Sequence, residues 1–303
     1  MTFNDIYEDK VLVNREIRIN DYDYICGEDH LIYCHRCHSP KQVKVRMNGT
    51  VTIRNCLCRC ETERRDAEEV EYKKRQDRYR VQRLRDAGIR SPLARHYTFE
   101  NDDGTNEKMF IARSFVDDWK EWKSRGKGLL ITGGIGSGKS FFAGCIANGL
   151  IDNGVPAVMI STPYLTDTLD RLSGREAREY LEALDRYELL ILDDYEPFLT
   201  EHAEQRTLFL LIDRWYTRRK PVIIVTGSSM ESIREASRSD PLNGRIHDRI
   251  LEMCCPVTFL GMDRRKERRS DNLQIARMIL EKGGAVHAGR DQSADCGIYD
   301  PRK

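Results

Sequence analysis

A chain of 303 residues with 40% hydrophobic and 33% charged residues can bury a large α/β core beside a small second module. Its formal net charge of +1 excludes a global positive field that would draw the whole molecule onto nucleic acid, so any DNA contact must come from local patches. The absence of an apolar run of about 18 residues argues against a transmembrane helix. The opening MTFNDIYEDK lacks the basic-then-apolar order of a signal peptide, so the expected location is the cytoplasm, with no membrane partner.

Residues 1–60 form the first expected element and hold the densest chemistry. Five of the ten cysteines fall between Cys34 and Cys60, and in a reducing compartment such a cluster reads as metal ligands rather than disulfides. Cys34-His35-Arg36-Cys37 is a CxxC knuckle. VKVRM and TVTIR flank Asn48-Gly49, a type I′ hairpin signal, and Cys56, Cys58 and Cys60 follow. Knuckle, hairpin and second cysteine group make a zinc-ribbon-like plan. Zn²⁺ takes four tetrahedral ligands, and the set chosen is Cys34, Cys37, Cys58 and Cys60, with Cys56 as the alternate. His38 and Cys26 are further substitutes, and an iron–sulfur cluster or metal-free thiols are the other readings. In so small a module a metal would replace the missing core.

Residues 61–92 mix both charge signs with almost no aliphatics, the pattern of a solvated connector helix ending near Gly88 and Pro92. Residues 93–282 alternate short apolar runs with amphipathic segments, and 283–303 read as a disordered tail. The apolar runs are LLIT (129–132), VPAVMIS (155–161), ELLILDD (188–194), PVIIVTG (221–227) and CCPVTFLG (254–261). Continuous apolar strands alternating with helices imply a parallel five-stranded sheet covered on both faces.

Gly133-Gly134-Ile135-Gly136-Ser137-Gly138-Lys139-Ser140 fits GxxxxGK[ST] in full, between an expected strand and an expected helix. Its glycines let backbone N–H groups turn onto phosphate oxygens, and the helix N-terminus adds positive dipole there. Lys139 would reach the β- and γ-phosphates of ATP, and Ser140 would ligate Mg²⁺. Phe141 completes the expected nucleotide-binding segment. Leu189–Asp194 supplies the acidic strand end: Asp193 would hold Mg²⁺, and Asp194 would orient the attacking water, with Glu196 as a second candidate. A strand inserted between the loop and the acidic strand points to the RecA-like and AAA+ division of P-loop NTPases.

With these residues in place, the sequence resembles the bacterial and phage helicase-loader ATPases of the DnaC/DnaI type, within AAA+. The resemblance runs from about Cys34 to Arg269. It is carried by the cysteine module, Ala87-Gly88-Ile89, Tyr97-Thr98-Phe99-Glu100-Asn101, the glycine loop, LLILDDYE, PVIIVTGSSM, Gly244–Ile250 and Gly261–Arg265. It implies that Arg249, with Arg245 as the alternative, is an arginine finger reaching a neighbouring subunit's γ-phosphate. It also implies that Arg265 senses the γ-phosphate of its own chain, and that the metal module and adjoining helix hold a replicative DnaB-like helicase. Two departures stand out. The sensor-1 run is Thr226-Gly227-Ser228-Ser229 with no amide, leaving Ser228 or Thr226 to polarise the water, and the acidic pair is Asp-Asp rather than Asp-Glu. Both suggest slow hydrolysis, suited to a switch.

The basic runs Arg214–Lys220 and Arg264–Arg269 are candidate contacts for single-stranded DNA, the first pairing aromatics with cations. The implied function is ATP-dependent loading of a hexameric replicative helicase onto single-stranded DNA. The rivals are an IstB-like transposition-regulator ATPase, an ATP-binding switch or adaptor with little turnover, and a small-molecule kinase, which the inserted strand disfavours.

Overall fold

The computed structural model describes residues 20–47, 49–199, 202–260 and 274–279. The chain divides into two compact units that part between Arg80 and Val81.

In the first unit, β1 (Tyr24–Ile25) pairs antiparallel with β2 (Ile32–Tyr33), and β3 (Gln42–Met47) pairs with β4 (Thr50–Asn55). Met47 stands opposite Thr50, so the β3–β4 loop has the two-residue length that the Asn-Gly signal calls for. Gly49 takes the left-handed conformation such a turn needs (φ 82°), while Asn48 lies outside the described residues. Helix α1 (Arg59–Gly88) follows. Its residues up to Arg80 are almost all exposed and carry ion pairs at helical spacing, among them Lys73–Glu69 at 2.7 Å and Arg64–Glu68 at 3.3 Å. Such pairs give the exposed helix modest local support where a sequence almost without aliphatics offers little packing.

The last turns of α1 belong to the second unit. Tyr187 Oη donates to the Ala87 carbonyl, and Ile89, fully buried, makes a parallel bridge to Met159. The unit boundary therefore falls inside the charged segment. Gly88 is not a left-handed helix stop: a Cβ there would lie 2.0 Å from the Ala157 carbonyl oxygen, so glycine is required by close backbone approach.

The second unit is a parallel sheet in the order β6-β7-β8-β5-β9: β5 (Gly128–Gly133), β6 (Ala157–Ser161), β7 (Leu189–Tyr195), β8 (Val222–Thr226) and β9 (Cys254–Phe259). Alternate strand residues feed two cores. Leu129, Ile131, Leu189, Ile191, Ile223 and Val225 pack under α2 (Met109–Asp117), α3 (Trp119–Arg125) and α4 (Lys139–Asp152). Leu130, Leu190, Leu192, Val222 and Ile224 pack under α5 (Thr162–Asp170), α6 (Gly174–Leu184), α7 (His202–Thr217), α8 (Met230–Ser239) and α9 (Pro241–Met253). Both faces are covered, so the strands read as unbroken apolar runs. Among the described residues no helix is long and apolar enough to cross a membrane.

Candidate functional site

The order of the sheet places β5 between the central strand β8 and the edge strand β9, and the glycine loop leaves the end of β5 to start α4. Gly138 is the N-cap of α4 at φ 91°, a left-handed conformation that leaves the following amides at the mouth of the loop. The loop lines a cleft of about 390 Å³ together with Tyr97, Asn101, Asp103, Phe141, Asp194, Val225, Thr226 and Gly227. Lys139 Nζ donates to the carbonyls of Gly133 (2.9 Å) and Gly134 (2.7 Å), which holds the ammonium over its own loop. Across the cleft floor Ser140 Oγ donates to Asp193 Oδ1 at 3.0 Å. A hydroxyl and a carboxylate oxygen in contact at the helix start are the donor set a Mg²⁺·nucleotide requires, and these two residues would hold the ion.

Burial raises the Asp193 carboxyl above its ordinary range, the neighbouring Asp194 charge adds to this, and the Ser140 hydroxyl only partly offsets it. A bound cation would reverse that balance. Asp194 stands at φ 54° where the β7–β8 register shifts between Leu192 and Tyr195, so the backbone turns its exposed carboxylate into the cleft. A non-glycine residue held left-handed in a strand costs energy and is found where a site needs the direction. Ser228 Oγ donates to Glu196 Oε1 at 3.4 Å, and Ser228 N donates to Thr226 Oγ1 at 3.1 Å. The sensor-1 hydroxyls and the second acidic candidate thus form one group, with Thr226 lining the cleft.

Tyr97, Asn101, Asp103 and Val225 line the cleft without being among the site residues that the sequence assigns. Tyr97 packs on Phe141 (rings 5.4 Å apart, edge-on) and crosses α4 at Gly144, where a Cβ would meet its ring at 2.6 Å. The signals were present as an aromatic at 97 and a glycine at 144, but nothing local says that they meet.

Arg249 is not in its own chain's cleft. Its Nε donates to Asp213 Oδ1 at 2.9 Å, its Nη2 stands in ion-pair contact with the same oxygen at 2.8 Å, and its guanidinium lies over the rings of Phe209 and Tyr216. Arg245, one turn earlier on α9, is exposed. Arg265 and the run Arg264–Arg269 lie outside the described residues.

The other basic run divides between interior and surface. Arg214 pairs with Asp185 through two nitrogens, Trp215 is fully buried, and Lys220 donates to the carbonyls of Asp185 and Tyr187 beneath the Trp215 ring. These groups are spent on the interior, because a helix end that anchors a buried strand needs its cations to bind free carbonyls. Arg218 and Arg219 of the same run remain exposed, so only part of it is withdrawn from a stacking-and-phosphate surface.

In the first unit Cys34, Cys37, Cys58 and Cys60 place their Sγ atoms within 4.8 Å of one another, with Cys34–Cys60 at 3.7 Å and Cys58–Cys60 at 3.4 Å. Tetrahedral thiolate zinc, with Zn–S about 2.3 Å, places sulfurs about 3.8 Å apart, so the four fit the ion. Cys56 instead points its buried thiol at the Pro40 carbonyl (3.5 Å), and His38 Nδ1 meets Tyr24 Oη at 3.0 Å. Burial opposes ionisation of Cys37, but the Ser39 hydroxyl at 3.1 Å and nearby amides bring its thiol down to about 5. Beside the cluster lies a buried pair, Lys41 Nζ on Asp23 Oδ2 at 2.6 Å, with the side chains 2% and 0% exposed. Burial pushes the Asp23 carboxyl up, but hydrogen bonds from Lys41, Asn20 and His35 outweigh it and hold it well below the carboxylate range.

A glycine loop at a strand-to-helix mouth, with a serine–aspartate pair and a second acid beneath it, defines a P-loop nucleotide-binding protein of the AAA+ type. Residues 67–272 match the model of the IstB-like ATP binding proteins, and the chain belongs to that family. A Sinorhizobium fredii protein named as an insertion sequence ATP-binding protein is 36% identical over 106 residues, 34% of this chain and 35% of that protein. The replicative helicase loader DnaI of Bacillus subtilis is 21% identical over 180 residues, 55% of this chain and 58% of the loader. The chain thus spans only 35% and 58% of the length of these relatives. A crystal structure of DnaI superposes with a TM-score of 0.49 at 18% identity, covering 57% of this chain and 96% of that one.

Proposed function

We propose that this protein hydrolyses ATP and uses the cycle to load a ring-shaped replicative helicase onto single-stranded DNA. The observation that carries the ATPase reading is the Ser140–Asp193 contact at the foot of the glycine loop, with Asp194 turned into the same cleft. In this reading Gly133–Phe141 bind the nucleotide, and Lys139 moves from the Gly133 and Gly134 carbonyls to the β- and γ-phosphates. Ser140 and Asp193 hold Mg²⁺. Asp194 orients the water, with the Ser228–Glu196 pair beside it. Arg249 of a second copy completes the site, and Arg265 reads the γ-phosphate from its own chain. A γ-phosphate that favours the assembled state, and is lost on hydrolysis, makes an assembly-and-release switch.

The loader role rests on the relationship to DnaI and on the four-thiol module, which precedes the family match at residue 67. In it, residues 1–60 form a zinc-bearing, helicase-holding module, 61–92 a connector, 93–282 the ATPase domain and 283–303 a tail. Regulation of transposition is the second reading, favoured by the family match and by the 36% identity to an insertion-sequence protein. Co-purification with candidate replicative helicases, repeated with Lys139→Ala and Cys34→Ser, separates them. A loader retains a helicase in the wild type and releases it when the thiol module is broken. If no helicase is held and the partner is a transposase, the loader reading is wrong.

A further inference from the structure

Helix α9 divides its residues between two faces. Asn243, Ile246, His247, Ile250 and Met253 are buried, whereas Arg245, Arg249 and Glu252 follow one another along the other side at spacings of four and three. Arg249 is the fixed member of that outer stripe. Its Nε and Nη2 share Asp213 Oδ1, its Nη1 donates to the Arg245 carbonyl at 3.1 Å, and the guanidinium carbon lies 4.9 Å from the Phe209 ring centre and 5.5 Å from that of Tyr216. Tyr216 is itself tied to α9, its Oη donating to Glu252 at 2.9 Å. Asp213, Phe209 and Tyr216 all lie on α7, so one helix builds the cradle for a side chain of another.

We propose that Asp213 is a positioning residue for Arg249, holding the guanidinium in one rotamer for presentation to the γ-phosphate of a second copy of this chain. An unrestrained arginine loses much rotamer freedom when it docks, and a preformed carboxylate and ring cradle removes that cost in advance. A guanidinium has five N–H donors. Two make hydrogen bonds here, one on Nε and one on Nη1, so the terminal nitrogens keep donors for a phosphate oxygen, and the side chain keeps a quarter of its surface exposed. The proposal rests on the reading that Arg249 acts in trans.

Mixed subunits test it. Lys139→Ala subunits keep the arginine but lack a working site, and Arg249→Ala subunits keep the site but lack the arginine; if Arg249 acts in trans, mixing them restores ATPase activity. Adding Asp213→Asn to the Lys139→Ala donor should lower that rescue by up to about a hundredfold, the scale of a misplaced catalytic group. Adding it to the Arg249→Ala recipient should leave rescue unchanged. A merely structural Asp213 would weaken both mixtures alike, and a rescue untouched by Asp213→Asn in the donor would show that the arginine needs no cradle; either overturns the proposal. If the first mixture shows no rescue at all, the trans reading itself fails and takes the proposal with it.

Discussion

His247 gives a stability signature that follows from burial alone. It is fully buried on α9, its Nδ1 lies 3.0 Å from Ser237 Oγ, and its Nε2 has no hydrogen-bond partner among the described residues. Burial lowers its pKa from 6.5 to about 4, with Asp248 opposing the shift weakly. A depressed histidine pKa means that the unfolded chain takes up the proton first. Stability is therefore complete above about pH 6.5 and drains away as pH falls toward 4. With those two values the loss at pH 5 is about 2 kcal/mol, rising to about 3 kcal/mol below pH 4. His247→Leu removes this linkage at little cost near neutrality, because Ser237 Oγ keeps the Ile233 carbonyl at 2.8 Å as acceptor. Urea unfolding of wild type and variant at pH 7.5 and pH 5, followed by a probe in the α/β unit, should show the wild type losing about 2 kcal/mol more than the variant. Titration of the cysteine cluster is common to both proteins and cancels in the difference. Parallel losses would refute the assignment of a buried neutral imidazole.

Gly88→Ala should destabilise the α/β unit by about 1–3 kcal/mol, because the added carbon meets a backbone oxygen at 2.0 Å; denaturant midpoints check this. Metal analysis should find one zinc per chain in the wild type and in Cys56→Ser but none in Cys58→Ser, since only the latter thiol belongs to the four-sulfur cluster. Asp193→Asn should raise the melting temperature of the nucleotide-free protein, because it removes a buried carboxylate whose charged form is disfavoured. The same variant should lose the magnesium-dependent stabilisation by ATP, as thermal scans with and without both ligands would show.

The parts of the molecule governed by periodicity were legible in the sequence. Strands buried on both faces need unbroken apolar runs, and the runs at 129–132 and 221–227 are the strands β5 and β8 with their flanks. The glycine loop was legible because its residues are fixed by backbone conformation rather than by tertiary partners. What depends on long-range neighbours was not. Arg214, Trp215 and Lys220 look like a nucleic-acid surface in one dimension and turn inward only because Asp185 and the Tyr187 carbonyl stand beside them. Asp194 is legible as the second acid at the strand end, but its left-handed turn, which falls at a register shift between two strands, is not. For the cysteines, spacing left Cys56 as an alternate to the chosen four; the fold turns it to Pro40 and brings the others together.

The central claim is that the loop 133–140 grips a nucleoside triphosphate with its amides and Lys139. Calorimetric titration of the full chain with ATP and magnesium, beside Lys139→Ala, tests it most directly. One saturable site per chain in the wild type and none in the variant is the expected result. Absence of binding in the wild type, or equal binding by both, would contradict it.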